Sequence, residues 1–192
     1  MRKRVQIGCM LAGVFGLFGW ASITHAQNPP QPATSVVKPH AYVSLEPVPR
    51  GKEFEVAVVV DIARGYHVNS HKPTDPYLIP TTVSPQLSAG LQALDTIYPK
   101  GKLEKFAFSP DTPLDVYSGS VTIFLRLSAQ ANTALGSSTI PITLRYQACN
   151  DSACLPPVKV PVDVKLEVGT AGAKARNMHP EIFAKASENS AK

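Results

Sequence analysis

Residues 159–168, KVPVDVKLEV, alternate between two kinds of side chain. Every second residue from Val160 to Val168 is aliphatic, and the residues between them are charged or proline. Successive side chains of a β-strand point to opposite sides of the sheet, so this period of two offers one face to a core and the other to water. The stretch therefore predicts a strand that is buried on one face.

The same alternation occurs in three further segments, 53–62, 121–128 and 140–147. Weaker strand candidates are 41–48, 65–69, 78–84 and 91–98. Turn-forming Pro, Gly and Asn separate these segments, and no long amphipathic helix interrupts them. Seven to nine such strands favour two packed antiparallel sheets. We predict an all-β fold, an immunoglobulin-like antiparallel β-sandwich with disordered termini.

The first 26 residues have the three-part layout of a secretory signal peptide. Three basic residues, Arg2 to Arg4, precede an apolar run from Val5 to Trp20, and small residues surround a cleavage site after Ala26. A helix needs about 20 apolar residues to span a bilayer, and this run is shorter. We predict cleavage after Ala26, a periplasmic or secreted protein, and no stable membrane insertion of the mature chain.

Composition divides the rest of the chain into three parts. Residues 27–39 are rich in proline and small polar residues and predict a disordered lead-in. Residues 40–168 hold the alternating segments and predict one immunoglobulin-like domain. It is a redox domain if its two cysteines exchange electrons with a partner. Residues 169–192 contain few large apolar residues and predict a flexible tail, in which HPEIFAKAS could form one short helical turn.

The charge of the mature chain does not favour nucleic acid as a partner. The full sequence carries a formal charge of +5, and removing the three basic leader residues lowers this to +2. No cluster of Lys and Arg interleaved with aromatic residues is present.

Two cysteines, Cys149 and Cys154, lie close together in YQACNDSACLPP, residues 146–157. Cys9, the only other cysteine, lies in the predicted leader. Structural disulfides are common in exported proteins, so a staple is one interpretation. A loop this small would stabilise the fold by roughly 2 kcal/mol in the chain-entropy estimate, against about 3 kcal/mol for a fifteen-residue loop. The pair is therefore poorly placed as a staple.

A metal site is the second interpretation. Two thiolates make half of a tetrahedral zinc site, and histidines such as His67 and His71 could complete it. On a strand these two histidines would lie about 13 Å apart, given roughly 3.3 Å per residue, which is too far for one ion. The simpler interpretation of both is partly exposed loop residues. We predict no metal site and no cofactor.

The third interpretation is a redox pair at the tip of a hairpin. Asn150 to Ala153 are turn-forming residues between the two cysteines, which places both sulfurs within disulfide distance and open to a partner. Such access is what thiol–disulfide exchange requires. One feature opposes a reactive thiolate, since the carboxylate of Asp151 should raise a nearby cysteine pKa. Spacing alone favours the redox pair without excluding the other two interpretations.

The segment YQACNDSACLPPVKVPV resembles the cysteine hairpin of the N-terminal periplasmic domain of the thiol:disulfide interchange protein DsbD. In that family a strand ending in Tyr-Gln-Gly-Cys leads through a short acidic loop to Cys, an apolar residue and a Pro-Pro pair. RGYHVNSHKP and DVYSGSVTIFLRL are similar to two other family segments in the same order. The resemblance spans about residues 40–168.

The resemblance implies an immunoglobulin-like domain that takes electrons from a membrane-embedded partner and passes them to oxidised periplasmic proteins, thioredoxin-like or otherwise disulfide-containing. It implies that Cys149 and Cys154 are the catalytic redox pair. Cys154 would form the mixed disulfide with a partner and Cys149 would resolve it. A binding module with a purely structural disulfide is the alternative function.

Members of the family also carry a loop whose aromatic residue covers the disulfide. The matching segment here is LEKFAFSPDTPLDVY, residues 103–117, in which Phe106 and Phe108 are the candidates for the covering ring. Ordinary core aromatics are the alternative interpretation of both. A full-length DsbD continues into further domains, whereas this sequence stops, so we expect a standalone domain that meets its electron donor by diffusion or uses a different donor.

Overall fold

Residues 32–184 are the part of the chain that this computed structural model describes, and they are nearly all β. A short 3-10 turn at Ala33–Ser35 precedes the first strand. The strands are β1 (Val37–Val43), β2 (Leu45–Glu46), β3 (Val48–Pro49), β4 (Lys52–Ile62), β5 (His67–Asn69), β6 (Thr82–Pro85), β7 (Leu91–Ile97), β8 (Lys102–Phe106), β9 (Ser109–Tyr117), β10 (Ser120–Ala129), β11 (Gly136–Tyr146), β12 (Ala148–Cys149), β13 (Val158–Gly169) and β14 (Arg176–Asn177).

Two four-stranded sheets form the sandwich. One has the order β1-β4-β10-β7 and the other the order β3-β13-β11-β6. Their neighbours pair antiparallel, except that the short β3 runs parallel to the end of β13. The predicted immunoglobulin-like antiparallel sandwich is confirmed.

The four alternating segments of the sequence form the central strands. Val162, Val164, Leu166 and Val168 of β13 are buried between the sheets, while their charged neighbours face water or lie at the surface. The apolar faces of β4, β10 and β11 join them in one continuous core. Local alternation therefore predicted which face of these four strands lies in the core.

The predicted lead-in is ordered over its last part, which corrects the boundary placed at residue 40. Strand β1 already begins at Val37 and pairs with Ile62 of β4. Val36 and Val37 are buried in the sandwich, and the Tyr146 hydroxyl donates a hydrogen bond of 2.8 Å to the Ala33 carbonyl. Two buried valines and a strand ladder outweigh the proline-rich composition. The predicted signal peptide, residues 1–26, lies outside the described residues.

The predicted flexible tail is also wrong for its first part. Strand β14 pairs with β2, and residues 180–184 are helical. Ile182 and Phe183 pack on Phe124 and Ala57, which lie on the outer face of the first sheet. The segment is held because that outer face is apolar at two residues and needs a cover. Within residues 32–184, no helix has both the length and the apolar character needed to span a membrane.

A third four-stranded sheet, of order β12-β5-β9-β8, carries the cysteine hairpin at one edge. Strand β12 follows β11 after a single residue, so the second sheet of the sandwich leads directly into it. This third sheet positions the candidate site.

Candidate functional site

Cys149 and Cys154 form a disulfide across the tip of a hairpin. The S–S distance is 1.99 Å, the Cα atoms lie 3.9 Å apart, and the two residues form an isolated antiparallel bridge. The Asn150 side-chain oxygen accepts hydrogen bonds of 2.9 Å from the backbone N–H groups of Ser152 and Ala153. This side chain closes the four-residue loop, as the turn-forming sequence predicted.

The two sulfurs have different environments. Cys149 is only 1% exposed, since β12 is packed against β5, whereas Cys154 is exposed to solvent. A thiolate must approach a disulfide sulfur directly in exchange reactions. Cys154 is therefore the more accessible of the two cysteines.

His67 lies directly opposite Cys149 in the β5–β12 pair. Residues that face each other in antiparallel strands project to the same side, with Cβ atoms about 4.5–5.5 Å apart. Cys149 in turn faces Cys154, so His67, Cys149 and Cys154 form one row across three neighbouring strand segments. We call these three residues the cross-strand row.

The imidazole of His67 is enclosed. The residue is 4% exposed, and its Nε2 is buried without a hydrogen-bond partner among the described residues. Burial lowers the pKa of His67 below its ordinary value of 6.5, and the carboxylate of Asp151 opposes that lowering. Burial therefore favours the neutral form of His67, which faces Cys149 of the disulfide. The prediction of a partly exposed loop histidine was wrong here, because strand pairing buries this residue.

Phe106 and Phe108 stack on His67. The Phe106 ring lies 3.9 Å from the imidazole, centroid to centroid, with 17° between the planes, and the Phe108 ring lies 6.5 Å away on the same side. The two phenyl rings are 5.5 Å apart and nearly parallel. Both candidate covering rings thus lie next to a residue of the cross-strand row.

The segment that carries these rings is a β-hairpin, where a cover loop was predicted. Strands β8 and β9 pair antiparallel and turn between Phe106 and Ser109. Phe106 is buried with Leu114 and Val116 of the hairpin, whereas Phe108 at the turn is 40% exposed. Several residues of 109–117 are exposed on both faces, so its alternation is too weak to predict this strand from the sequence.

A network of side-chain amides holds the cysteine hairpin in place. The side-chain amide of Asn69, two residues beyond His67, donates a hydrogen bond of 3.0 Å to the Ile79 carbonyl. It donates another of 3.4 Å to the side-chain oxygen of Gln147. Gln147 donates to the Leu155 carbonyl at 3.4 Å, and so connects β12 with the chain that leaves Cys154. Asn69 has no signal of this role in the sequence beyond being an isolated Asn within the strand candidate 65–69.

His71 belongs to a different environment from His67. Its ring stacks on Tyr98 at 3.6 Å, and its Nδ1 lies 3.2 Å from the Thr81 carbonyl oxygen. The Tyr117 hydroxyl accepts a hydrogen bond from the His71 backbone and donates one to Pro99. Across residues 32–184, no three His, Cys, Asp or Glu side chains converge in a way that could hold a metal ion.

Comparison with known proteins gives one family match. The sequence model of the N-terminal domain of thiol:disulfide interchange protein DsbD matches residues 33–166. The reduced DsbD N-terminal domain of Neisseria meningitidis is 18% identical, with a TM-score of 0.44 over 77% of this chain and 94% of that chain. A complex between the DsbD and PilB N-terminal domains of the same organism gives 20% identity and a TM-score of 0.44, over 71% and 88%. The N-terminal periplasmic domain of ScsB from Proteus mirabilis is 13% identical, with a TM-score of 0.48 over 78% of this chain and 54% of that chain. No curated protein sequence matches the chain.

Proposed function

The chain belongs to the family of the DsbD N-terminal domain, and from this premise we propose that it is an exported thiol–disulfide oxidoreductase that passes electrons to periplasmic proteins through Cys149 and Cys154. Family membership supports a role in thiol–disulfide interchange. The direction of transfer, the partners and the residue roles are the parts that we propose.

The unequal exposure of the two cysteines is the observation that carries the proposal. In the reduced protein, the exposed Cys154 thiolate attacks one sulfur of a partner disulfide. A mixed disulfide between Cys154 and that sulfur forms, and the other partner sulfur leaves as a thiolate. The buried Cys149 then attacks Cys154 as a thiolate, restores the Cys149–Cys154 disulfide and releases the second partner thiolate. Two electrons pass to the partner, and its two sulfurs take up two protons.

The β8–β9 hairpin is proposed as the cover of this site. Phe108 is half-exposed at its turn and Phe106 anchors it in a small apolar cluster, so the turn can move while the base stays packed. Docking of a shape-matched partner would displace the rings, which stack on His67 beside the buried Cys149. In the free protein they would keep other thiols from the Cys149 side of the disulfide, which would slow unwanted exchange.

We propose thioredoxin-like or other disulfide-containing proteins as electron acceptors, and a membrane-embedded protein as donor. The exposed hairpin tip supports a protein partner, because its sulfur is available without unfolding. Residues 1–26 are proposed as a cleaved leader that delivers the chain to the periplasm. The proposed mature domain then spans at least β1 to β13, from Val37 to Gly169.

Trapping with glutathione disulfide tests the residue roles. Reduced Cys149→Ala should form a stable mixed disulfide with glutathione at Cys154, detected by intact mass, because the resolving sulfur is missing. Cys154→Ala is the matched variant and should react far more slowly, because Cys149 is buried. Equal labelling of both single variants would refute the assignment of Cys154 as the attacking sulfur.

The reduction potential separates the relay from a structural disulfide. Equilibration of the wild-type protein with glutathione buffers should give a potential between about −180 and −270 mV, the range of working dithiols. A potential below about −300 mV is typical of structural disulfides and would favour a non-catalytic β-sandwich module instead.

A further inference from the structure

The cross-strand row leaves one buried polar atom unexplained. Nε2 of His67 is buried without a hydrogen-bond partner among the described residues, and the same holds for the Oδ1 atoms of Asn69 and Asp115. Buried polar groups are usually paired, because an unpaired one loses its bond to water without replacement. Nε2 differs from these two oxygens because His67 directly faces Cys149 of the disulfide. With the imidazole proton on Nδ1 it is an acceptor, and its donor would exist in the other redox state of the site.

Reduction creates such a donor at the neighbouring position. In the disulfide, Cys149 has no proton to donate. In the dithiol it carries an S–H group, on the residue that directly faces His67 and projects to the same side of the sheet. Opening the disulfide also frees the Cys149 side chain to rotate away from Cys154. With the imidazole proton on Nδ1, Nε2 has a lone pair available for this S–H group.

We propose that His67 is the proton acceptor for the Cys149 thiol in the resolving step. The inference rests on the proposed function, whose second step requires a thiolate at Cys149. A buried thiol in apolar surroundings loses its proton with difficulty, since burial disfavours the charged form. A neutral base beside it removes that obstacle.

The step balances with the groups already named. The S–H bond of Cys149 breaks and its proton forms an N–H bond at Nε2 of His67. The Cys149 thiolate then attacks Cys154, the partner thiolate departs with the electron pair of the mixed disulfide, and the imidazolium returns its proton to the leaving sulfur or to water. His67 ends neutral, and no further oxidant or reductant takes part.

The surroundings of His67 fit this role. Phe106 stacks on the imidazole and Phe108 lies 6.5 Å from it, and burial of this kind favours the neutral imidazole at rest. Cys149 faces it from β12. Asp151, in the loop between the cysteines, is the charged group that acts on it, and its carboxylate favours the imidazolium that forms in the step. On β9, the Tyr117 hydroxyl is occupied by His71 and Pro99.

The test resolves the two steps with 5,5′-dithiobis(2-nitrobenzoate) and reduced protein in a stopped-flow instrument. The first thionitrobenzoate reports attack by Cys154, and the second reports resolution by Cys149. In His67→Phe, which keeps a stacked ring, we expect an unchanged first phase and a second phase about 100-fold slower at neutral pH, the low end for a positioned proton acceptor. The deficit should shrink towards high pH, where Cys149 ionises without help.

The control is His71→Phe, which removes a stacked histidine from the same segment outside the cross-strand row. Both phases should match the wild type. An unchanged second phase in His67→Phe at every pH, or an equal slowing of both phases, would overturn the role of His67 and leave the relay intact. If the reduced wild-type protein instead releases no thionitrobenzoate, the proposed exchange function fails.

A measurement on the wild-type protein covers the case in which His67→Phe misfolds. The ¹⁵N resonances of the His67 imidazole are followed through a pH titration in the oxidised and the reduced protein. We expect the ¹⁵N chemical shift of Nε2 to indicate a nitrogen that accepts a hydrogen bond in the reduced form only. Identical His67 resonances and titration curves in both forms would overturn the inference.

Discussion

The Phe106 ring lies almost parallel to the imidazole of His67, with the ring centroids 3.9 Å apart. His67 directly faces the buried Cys149, so this stack connects the β8–β9 hairpin to the disulfide through one side chain. Movement of the hairpin therefore changes the surroundings of the residue next to the resolving sulfur. A partner that displaces the rings would admit water to His67 as it reaches Cys154.

Removal of the two rings should have different effects. Phe108 is 40% exposed, so Phe108→Ala should leave the free energy of unfolding within about 0.5 kcal/mol. Phe106 is 9% exposed and packs on Leu114 and Val116, so Phe106→Ala should lower it by about 3 kcal/mol. Both variants should be reduced several-fold faster by a small phosphine, followed by mass spectrometry. Wild-type reduction rates in both would contradict the cover role.

The stability of the oxidised protein should depend on the protonation of His67. Burial lowers its folded pKa below the ordinary 6.5, so the unfolded chain binds the proton more tightly. The free energy of unfolding should therefore be highest above about pH 6.5, fall as the pH drops through the folded pKa, and level off below it. Urea unfolding at several pH values measures this. In His67→Phe the decrease of the free energy of unfolding at low pH should be smaller. Identical pH profiles of the two proteins would contradict this contribution of His67.

The C-terminal segment should contribute to stability. Phe183 packs on Phe124 on the outer face of the first sheet, with ring centroids 6.0 Å apart. Phe183→Ala should lower the free energy of unfolding by about 1–2 kcal/mol, because half-buried apolar surface is lost. The control is Glu181→Ala, at an exposed position of the same helical turn, with an expected change within about 0.5 kcal/mol. Equal stability of the two variants would show that Phe183 does not stabilise the fold, as expected for a flexible tail.

The N-terminal segment should be fastened by Tyr146. Its hydroxyl donates a hydrogen bond of 2.8 Å to the carbonyl of Ala33, which precedes β1 in the chain. Tyr146→Phe should lower the free energy of unfolding by about 1 kcal/mol and speed amide hydrogen exchange in β1. Tyr77→Phe, at a residue that is 90% exposed, is the matched control and should change neither quantity. Unaltered exchange in Tyr146→Phe would show that β1 is held by its ladder alone.

The sequence alone was sufficient for the fold class and the cysteine hairpin. The alternation of 159–168 predicted both the strand and its buried face, because side-chain direction along a strand is a local property of two successive residues. The turn at Asn150 was predictable for the same reason, since its side chain bonds to the backbone two and three residues ahead. The family resemblance pointed to the same cysteines.

Tertiary structure decided what lies beside the cysteines. His67 is more than eighty positions from Cys149 in the chain, and only the pairing of β5 with β12 makes them direct neighbours. Likewise, residues 33–39 and 176–184 have compositions typical of loose ends, yet pairing with β4 and β2 and an apolar outer face hold them in place. Cross-strand neighbours follow from sheet order and register, which depend on long-range pairing and which no local pattern of residues contains.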